Sequence, residues 1–343
     1  MAALINALKK KKTPSQLTTI CLQALPNLEE CNTNEETKQA ASESIAKRLN
    51  QMKIILYGEE GSEPNENKCV DLARALKQDD ALIKMVTNLQ ILPFESRKDL
   101  SKIFNAVLHR DLDGFSEYML GHVDFAGQLV HHYQMPEIAL ISGSMLREIV
   151  RHPDLNRMFL ESDYLWPFFD DYVHNSNFDV ASDAFATLRE LLTKNKEVAA
   201  QFLDAHYDAV FEHYSSLLNS GNYVTKRQSL KLLGELLLDR TNFSIMMKYI
   251  SDKRNMKQIM MMMRDPSANI QFEAFHVFKV FVANPRKPAD IVNILLKNRD
   301  KLLAFLENFH NDKEDNQFIE EKQLLISTLS GLEPPAENSS STS

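Results

Sequence analysis

The sequence predicts an all-α protein in which short helical repeats stack into an elongated solenoid, a rod with one concave binding face. Three observations predict this fold: a recurring apolar pattern, a shortage of glycine and an abundance of helix-forming residues. Only 9 of the 343 residues are glycine, about a third of the usual ~7%, although hairpin turns and phosphate loops depend on glycine. Leucine, lysine, glutamate and 14 methionines, all good helix formers, are plentiful instead.

The apolar pattern recurs with a period of 42 to 45 residues. Its five anchor positions are Phe104, Leu146, Leu188, Leu233 and Phe278. Every anchor is followed three and four positions later by apolar residues, namely Val107 and Leu108, Ile149 and Val150, Leu191 and Leu192, Leu236 and Leu237, and Phe281 and Val282. This spacing puts each set of three on one buried helical stripe. The period is typical of armadillo and HEAT repeats, and a further repeat is predicted with Leu324 as its anchor.

The pattern also predicts how the chain is organised. A basic N-terminal segment over 1–13 precedes a single armadillo-like helical repeat domain over 14–333, and 334–343 is a disordered tail. This N-terminal segment contains a run of four lysines, Lys9 to Lys12. We expect these lysines to be solvated, and contact with an acidic membrane surface is the alternative.

Local sequence features predict where helices begin and end. Thr13 and Pro14 suit the N-cap and the first residue of a helix. Pro285 ends another helix, because the residue before a proline disfavours helical geometry. Polar, glycine-containing stretches over 57–68 and 111–122 are predicted to be surface loops.

Charge and cysteine content exclude several classes of protein. The net charge is −8, from 39 lysines and arginines against 47 acidic residues, so a general nucleic-acid binder is not expected. Three cysteines without a C-x-x-C pair support neither a disulfide framework nor a cysteine zinc site, and a reducing, cytoplasmic compartment fits. No apolar run exceeds five residues, so no membrane-inserted segment is predicted.

Searches for catalytic chemistry find nothing. Phosphate-loop, dinucleotide, zinc-protease and nucleophile-elbow motifs are absent, so no catalytic residue, cofactor or metal is predicted. The stretch from Asp111 to Gly114 resembles the start of a calcium loop, but the later ligand positions do not match, and a plain loop is expected. The adjacent His131 and His132 are expected to be solvated or to cap a helix, since neighbouring helical residues point about 100° apart.

A basic, methionine-rich stretch over 226–264 stands apart from the rest of the chain, and we call it the basic segment. Nine lysines and arginines against three acidic residues give it a charge of +6, which leaves the remainder at −14. Seven of the 14 methionines also lie here, and methionine adapts to irregular apolar ligands. The basic segment is predicted to form a groove for an acidic partner peptide, or else to place its methionines in the core beneath a solvated basic face.

Helical geometry sharpens this prediction over 224–240. Arg227 and Lys231 lie one turn apart on a face distinct from the predicted core stripe. Gly234 follows on that side, next to Glu235, and is predicted to form a shallow spot that a partner backbone or aromatic ring approaches closely.

Five segments of the sequence carry a resemblance to a known family. They are MKIILYG (52–58), FDVASDAFATLRELLT (178–193), NYVTKRQSLKLLGELLLDR (222–240), KYIS (248–251) and NIQFEAFHVFKVFVANP (269–285). They closely resemble the Mo-twenty-five family, also called calcium-binding protein 39.

The resemblance implies a rod-like, noncatalytic cytosolic scaffold that is monomeric when free. Such scaffolds bind a STE20-related pseudokinase, help it activate a liver-kinase-B-type kinase, and activate STE20-like (germinal-centre) kinases. Fungal and plant relatives act in cell polarity and morphogenesis.

The resemblance also implies two sets of binding residues. A pocket for a C-terminal Trp-Glu-Phe peptide of the pseudokinase corresponds to Lys231, Lys257 and Met260. The concave surface that contacts kinases corresponds to Phe178, Tyr223, Arg227 and Phe243. The alternative for the three aromatic residues is that they belong to the cores of their repeats. The alternatives for the whole chain are a HEAT-like adaptor for transport or cytoskeletal proteins, and an enzyme whose site carries no recognisable motif.

Overall fold

The computed structural model describes residues 12–29, 34–59 and 61–334. Within these ranges every regular element is helical, with twenty α-helices, six short 3₁₀ turns and no β-strand. The predicted all-α fold is therefore confirmed. The predicted N-terminal segment over 1–13 and the predicted tail over 334–343 lie mostly outside the described residues, which include only Lys12, Thr13 and Pro334 of them.

The chain divides into two compact units, one ending at Phe202 and the other beginning at Leu203. The helices of the first unit are α1 (Pro14–Ala24), α2 (Pro26–Glu29), α3 (Glu35–Tyr57), α4 (Glu66–Lys77), α5 (Ala81–Thr87), α6 (Phe94–His109), α7 (Phe115–Leu120), α8 (Val123–His131), α9 (Pro136–Val150), α10 (Pro153–Leu160), α11 (Trp166–Asp170) and α12 (Phe178–Thr193). Helix α13 (Lys196–Ala205) contains the boundary. The single repeat domain predicted over 14–333 stays a prediction.

The second unit contains α14 (Tyr207–Leu218), α15 (Tyr223–Leu238), α16 (Phe243–Ser251), α17 (Lys253–Met262), α18 (Ala268–Ala283), α19 (Ala289–Glu307) and α20 (Asn316–Ser330). The 3₁₀ turns of both units are Gln78–Asp80, Leu89–Ile91, His132–Gln134, Asp163–Leu165, Tyr172–His174 and Arg240–Asn242.

One long helix of each repeat packs on its counterpart in the next repeat. In the first unit α3, α6, α9 and α12 follow one another in this way, and α15, α18 and α20 do so in the second. The fifteen predicted stripe residues lie on five of these helices, and each is at most 2% exposed. Full burial of such side chains contributes roughly 1.5–3 kcal/mol each. Each unit is therefore a stack of armadillo-like helical repeats, as the apolar period predicts.

The positions where helices begin and end are partly as predicted. The Thr13 side chain and the Gln16 side chain cap each other's backbone N–H groups, with Pro14 at the first helical position, as expected. Helix α18 ends at Ala283, just before Pro285. The loop predicted over 57–68 is shorter, since α3 extends to Tyr57 and α4 starts at Glu66.

The loop predicted over 111–122 is wrong in its second half. Helix α7 begins at Phe115, and both Phe115 and Met119 are buried. The carboxylate of Asp111 accepts a hydrogen bond of 2.7 Å from the backbone N–H of Ser116, in the first turn of that helix. Buried side chains four residues apart outweigh the polar, glycine-containing composition, because they share one helical face.

The anchor predicted for the last repeat is wrong by one position. Leu324 is 64% exposed, whereas Leu325 is 3% exposed and packs inward with Phe318 and Leu329 on the same helix. Helix α20 packs on α18 and α19.

The expectation of a solvated or capping histidine pair is wrong for His132. His131 is exposed, but His132 is 5% exposed and its Nδ1 atom lies 2.8 Å from the hydroxyl of Ser142. Burial lowers the pKa of His132 to about 4, with a smaller contribution from the neighbouring His131. This histidine is therefore a neutral core residue at pH 7.

Candidate partner-binding surfaces

The three aromatic residues assigned to the kinase-contacting surface are solvent-exposed. Phe178 is 64% exposed, Tyr223 43% and Phe243 63%. Phe178 belongs to the first unit, and Tyr223 and Phe243 belong to the second. The alternative that they are core residues of their repeats is therefore wrong. Large exposed aromatic side chains cost solvation free energy and are enriched where proteins bind one another.

Asparagine caps place Phe178 and Tyr223 at corresponding positions of their repeats. The side-chain oxygen of Asn177 accepts hydrogen bonds from the backbone N–H groups of the second and third residues of α12, at 3.0 and 3.3 Å. Asn222 does the same for α15, at 2.9 and 3.3 Å. The cap fixes where each helix begins, so the following aromatic residue is the first helical residue.

Contacts with α18 hold Tyr223 and Arg227 in place on α15. The side-chain amide of Asn269 donates a hydrogen bond of 3.0 Å to the Tyr223 hydroxyl. Arg227 lies one turn further along, with its Nε atom 3.7 Å from a carboxylate oxygen of Glu273. The hydrogen bond from Asn269, with smaller help from Arg227, lowers the pKa of Tyr223. The two side chains thus form a pre-oriented aromatic and cationic pair on the surface of the second unit.

Lys231 continues this row on α15. It lies one turn beyond Arg227 and is exposed, so Tyr223, Arg227 and Lys231 share one helix face at intervals of four residues. The predicted shallow spot at Gly234 is wrong, because Gly234 is buried against α18. A side-chain carbon built at this glycine would lie 3.9 Å from Val277 of α18.

Lys257 and Met260 lie on a different helix, α17. Lys257 is exposed and Met260 is half-buried, and their spacing of three residues puts them on one side of the helix. Helices α15 and α17 both pack on α18. Lys231 and Lys257 therefore lie on two helices that share α18 as a packing partner.

The methionines of the basic segment divide between core and surface, so the alternative that places them in the core holds for only part of the set. Met256, Met262 and Met263 are buried. Met261 is 72% exposed. The half-buried ones are Met246, Met247 and Met260.

Several cations of the basic segment are already neutralised by neighbours. Ion pairs join Lys226 to Asp265 at 3.4 Å, Lys253 to Asp290 at 2.7 Å and Arg254 to Asp252 at 2.6 Å. Lys231 and Lys257, in contrast, form no ion pair among the described residues, although Lys257 lies close enough to Asp290 to add to the lowering of its pKa, which is caused mainly by Lys253. Exposed lysines that form no ion pair are able to receive an external carboxylate, and Lys231 and Lys257 are two such cations of the basic segment.

Phe94 is a candidate that sequence reasoning missed. It is 62% exposed at the first position of α6, with the Lys98 ammonium 5.0 Å from its ring centroid. Phe94 lies 84 residues before Phe178, which is two periods of 42 residues. A comparison of the first helical residues of the repeats, instead of their buried anchors, would therefore have identified Phe94 from the sequence.

The described residues contain no cluster of three or more histidine, cysteine or acidic side chains arranged to hold a metal ion. The acidic loop considered as a calcium site is engaged by the protein itself, since Lys77 and Arg74 both pair with Asp113, at 2.7 and 3.0 Å. In the same part of the chain, no helix combines the length and apolar character needed to cross a bilayer.

Comparison with known proteins identifies the family of this chain. The sequence model of the Mo25-like family matches residues 5–333. A human protein named calcium-binding protein 39-like is 46% identical over 332 residues, which cover 96% of this chain and 97% of that protein. The Mo25-like protein of Schizosaccharomyces pombe is 41% identical over 336 residues, covering 97% of this chain and all of that protein. A solved designed armadillo repeat protein aligns with a TM-score of 0.42 at 12% identity, over 76% of this chain and 98% of the designed chain. This chain belongs to the Mo25-like family.

Proposed function

We propose that this chain is a noncatalytic cytoplasmic scaffold that binds STE20-like kinases and activates them allosterically. The same surface would serve a complex of a STE20-related pseudokinase with a liver-kinase-B-type kinase, in signalling that controls cell polarity and morphogenesis. Membership of the Mo25-like family supports a scaffold-type protein. The observation that carries the kinase-binding part is the exposed Tyr223–Arg227 pair, which contacts Asn269 and Glu273 of α18.

A pre-oriented pair suits allosteric activation for a thermodynamic reason. A kinase alternates between active and inactive arrangements, and a scaffold activates it only by binding the active one more tightly. If the free kinase is about 1% active, reaching about half active requires roughly a 100-fold preference, near 2.7 kcal/mol. A few buried aromatic and arginine contacts supply that much, because such residues dominate protein interfaces. The hydrogen bond from Asn269 to Tyr223 also reduces the conformational entropy that this side chain would lose on binding.

Capture of a partner's C-terminal peptide is the second part of the proposal. Lys231 and Lys257 would pair with the acidic residue and the terminal carboxylate of a peptide ending in Trp-Glu-Phe. Met260 would pack against an aromatic ring, where methionine sulfur and its flexible chain are favourable. This attachment would hold the pseudokinase while the kinase-contacting residues act.

The decisive experiment for activation measures phosphate transfer by a STE20-like kinase mixed with stoichiometric scaffold. Arg227→Ala and Phe243→Ala should lose activation while keeping the helical circular dichroism of the parent protein. Gln228→Ala is the matched control, because Gln228 is exposed on the same helix beside Arg227 but outside the row that includes Tyr223. Normal activation by both variants would rule out this surface as the activating one.

Peptide capture is tested separately by fluorescence anisotropy with a labelled peptide ending in Trp-Glu-Phe. Met260→Ala should weaken binding by roughly 1–3 kcal/mol, as for a hot-spot residue. Lys257→Ala should weaken binding and also reduce its salt dependence, whereas Lys248→Ala, which removes an exposed lysine from α16, should leave both unchanged.

A pull-down from cytosol distinguishes the kinase scaffold from a HEAT-like adaptor. Co-purification of STE20-family kinases supports the proposal. Recovery of transport or cytoskeletal proteins with no kinase would instead favour the adaptor, and Arg227→Ala shows whether any recovered partner uses the proposed surface.

A further inference from the structure

The second unit contains an acidic cleft whose lining does not include Tyr223, Arg227 or Lys231. It lies between α14 and α17 and has a volume of about 1010 Å³. The two helices occupy the same place in successive repeats, and the side-chain amide of Gln258 joins them by a hydrogen bond of 3.2 Å to the hydroxyl of Ser215. This volume is at the upper end of the range for ligand sites, so the cleft has room for several peptide residues.

The wall formed by α14 carries two pairs of neighbouring residues, each an aromatic residue followed by an acidic one. Asp208 and Glu212 are exposed and lie one turn apart. The Arg254 guanidinium is bound by Asp252, which with a smaller contribution from Asp208 raises the pKa of Arg254. The rings of Tyr207 and Phe211 are also one turn apart, with their centroids 4.5 Å from each other. An acidic row beside an aromatic row is suited to guanidinium and ammonium groups, which pair with carboxylates and stack on rings.

The opposite wall, formed by Asp252 and helix α17, adds polar groups and leaves the cleft lining negatively charged. Asp252 faces the cleft, and its carboxylate holds the one guanidinium of the lining, that of Arg254, at 2.6 Å. The lining therefore carries three carboxylates against one cation. Asn255 and Gln258 provide side-chain amides on this wall, and Asn219 provides one on the other. Amides both donate and accept hydrogen bonds, as the backbone of an extended peptide requires.

A cation already contacts one ring of this wall. The ammonium group of Lys248 lies 4.6 Å from the centroid of the Tyr207 ring. This contact within the protein shows the kind of cation–aromatic pairing that a basic side chain of a ligand would make with the neighbouring Phe211 ring.

We propose that the acidic cleft binds an extended peptide segment rich in arginine or lysine, supplied by a partner protein. The carboxylates of Asp208 and Glu212 receive two of its basic side chains, the rings of Tyr207 and Phe211 pack against their alkyl or guanidinium parts, and the amides hold its backbone. This ligand is opposite in charge to the acidic peptide assigned to Lys231 and Lys257. The chain would therefore hold two oppositely charged segments at different places on one unit.

The test uses the full chain and an acetylated, fluorescein-labelled decapeptide of alternating serine and arginine. Fluorescence anisotropy should show saturable binding that weakens as salt increases, and no binding of the matched serine–glutamate peptide. The double variant Asp208→Asn/Glu212→Gln should weaken binding at least 10-fold. Asn219→Arg, which brings a competing guanidinium into the cleft, should weaken binding by a similar factor.

The matched control addresses the acidity of the whole chain, which attracts basic peptides without any site. Glu307→Gln/Glu320→Gln removes the same two charges from exposed positions of α19 and α20, outside the cleft, and should change affinity less than 2-fold. Equal weakening by the cleft pair and this control pair would show nonspecific attraction and overturn the proposal. Unchanged affinity in both cleft variants would overturn it as well. Neither outcome bears on kinase activation, which depends on other residues.

Discussion

At the residue scale, Gly143 of α9 lies against a network of polar side chains that joins α9 to α12. Arg147 donates hydrogen bonds of 2.8 Å to both Asp183 and Thr187, and the Tyr133 hydroxyl donates one of 2.6 Å to Asp183. A side-chain carbon at Gly143 would collide with Asp183 and with the Tyr133 hydroxyl. The glycine is therefore required by the space that this network occupies, and not by backbone conformation.

We expect Gly143→Ala to lower the free energy of unfolding by about 1–3 kcal/mol, the usual cost of overpacking a core. The matched control is Gly234→Ala, at an equally buried helical position where the nearest foreign atom would be Val277 Cγ2 at 3.9 Å. That change should be neutral or stabilise by up to about 1 kcal/mol, because alanine favours helix over glycine. Urea unfolding of both variants is the measurement, and equal effects would show that the contact at Gly143 is relieved at no cost.

His132 should make the protein less stable as the pH falls. Its pKa is about 4 in the folded protein and about 6.5 in an unfolded chain. Between these values the unfolded state binds more protons, so the stability contribution is complete above pH ~6.5 and is lost as the pH falls toward 4. A shift of this size corresponds to a loss on the order of 3 kcal/mol.

The variant His132→Asn separates this residue from the carboxylates that titrate in the same range. Asparagine places an oxygen near the position of Nδ1 and keeps a hydrogen bond to Ser142, but it does not titrate. Denaturant unfolding at pH 7.0 and pH 4.5 should therefore show a smaller loss of stability in the variant than in the parent. Identical losses would mean that His132 is already solvated in the folded protein.

At the element scale, most of the long helices could be predicted and most of the short ones could not. The fifteen stripe positions are buried because each long helix packs on its counterparts, so the pattern is strong and repeats in register. Helix α7 has six residues and only two buried side chains, too few to outweigh its polar neighbours. The anchor predicted for α20 was wrong by one position because Leu324 and Leu325 are adjacent and both apolar. The sequence does not distinguish which of the two faces inward.

The residues of the candidate surfaces could be predicted from the sequence, but the contacts that position them could not. Resemblance to a family gave Tyr223 and Arg227, but their contacts with Asn269 and Glu273 span 46 residues of sequence. Those contacts depend on the stacking of α15 on α18, which periodicity predicts only in general. Phe94 was missed because the repeat search compared buried anchors, whereas its exposure depends on its position at the start of α6.

The asparagine cap of α15 is predicted to set the stability of the helix that carries Tyr223 and Arg227. Asn222→Ala removes the acceptor for two backbone N–H groups and should cost about 1 kcal/mol. Amide hydrogen exchange should accelerate in the first turn of α15 and leave α18 unchanged. Gln228→Ala on the same helix is the control. Loss of protection throughout the second unit would show instead that the cap supports the whole unit.

At the scale of the whole molecule, the charge is distributed so that each proposed ligand meets a surface of opposite sign. The chain carries −8 overall, yet the basic segment carries +6. Neighbouring carboxylates form ion pairs with several of its cations but with neither Lys231 nor Lys257, and the described residues likewise show no ion pair for Asp208 or Glu212. Net charge therefore predicts little about partners in this protein, because complementarity is decided surface by surface.

Whether the two compact units unfold together is the last prediction. The sequence predicts one repeat domain over 14–333, and in repeat proteins neighbouring repeats stabilise one another. The single tryptophan, Trp166, lies in the first unit, with the rings of Phe169 and Phe202 within 6.5 Å. Its fluorescence therefore reports on the first unit, while circular dichroism at 222 nm reports on the helices of both. We expect the urea unfolding curves from the two probes to coincide, as a cooperative transition requires. Gly143→Ala, which lies in the first unit, should then shift both curves by the same amount. If the variant instead shifts the fluorescence curve and leaves part of the circular dichroism transition in place, the units at either side of Phe202 and Leu203 unfold independently and the single-domain prediction is wrong.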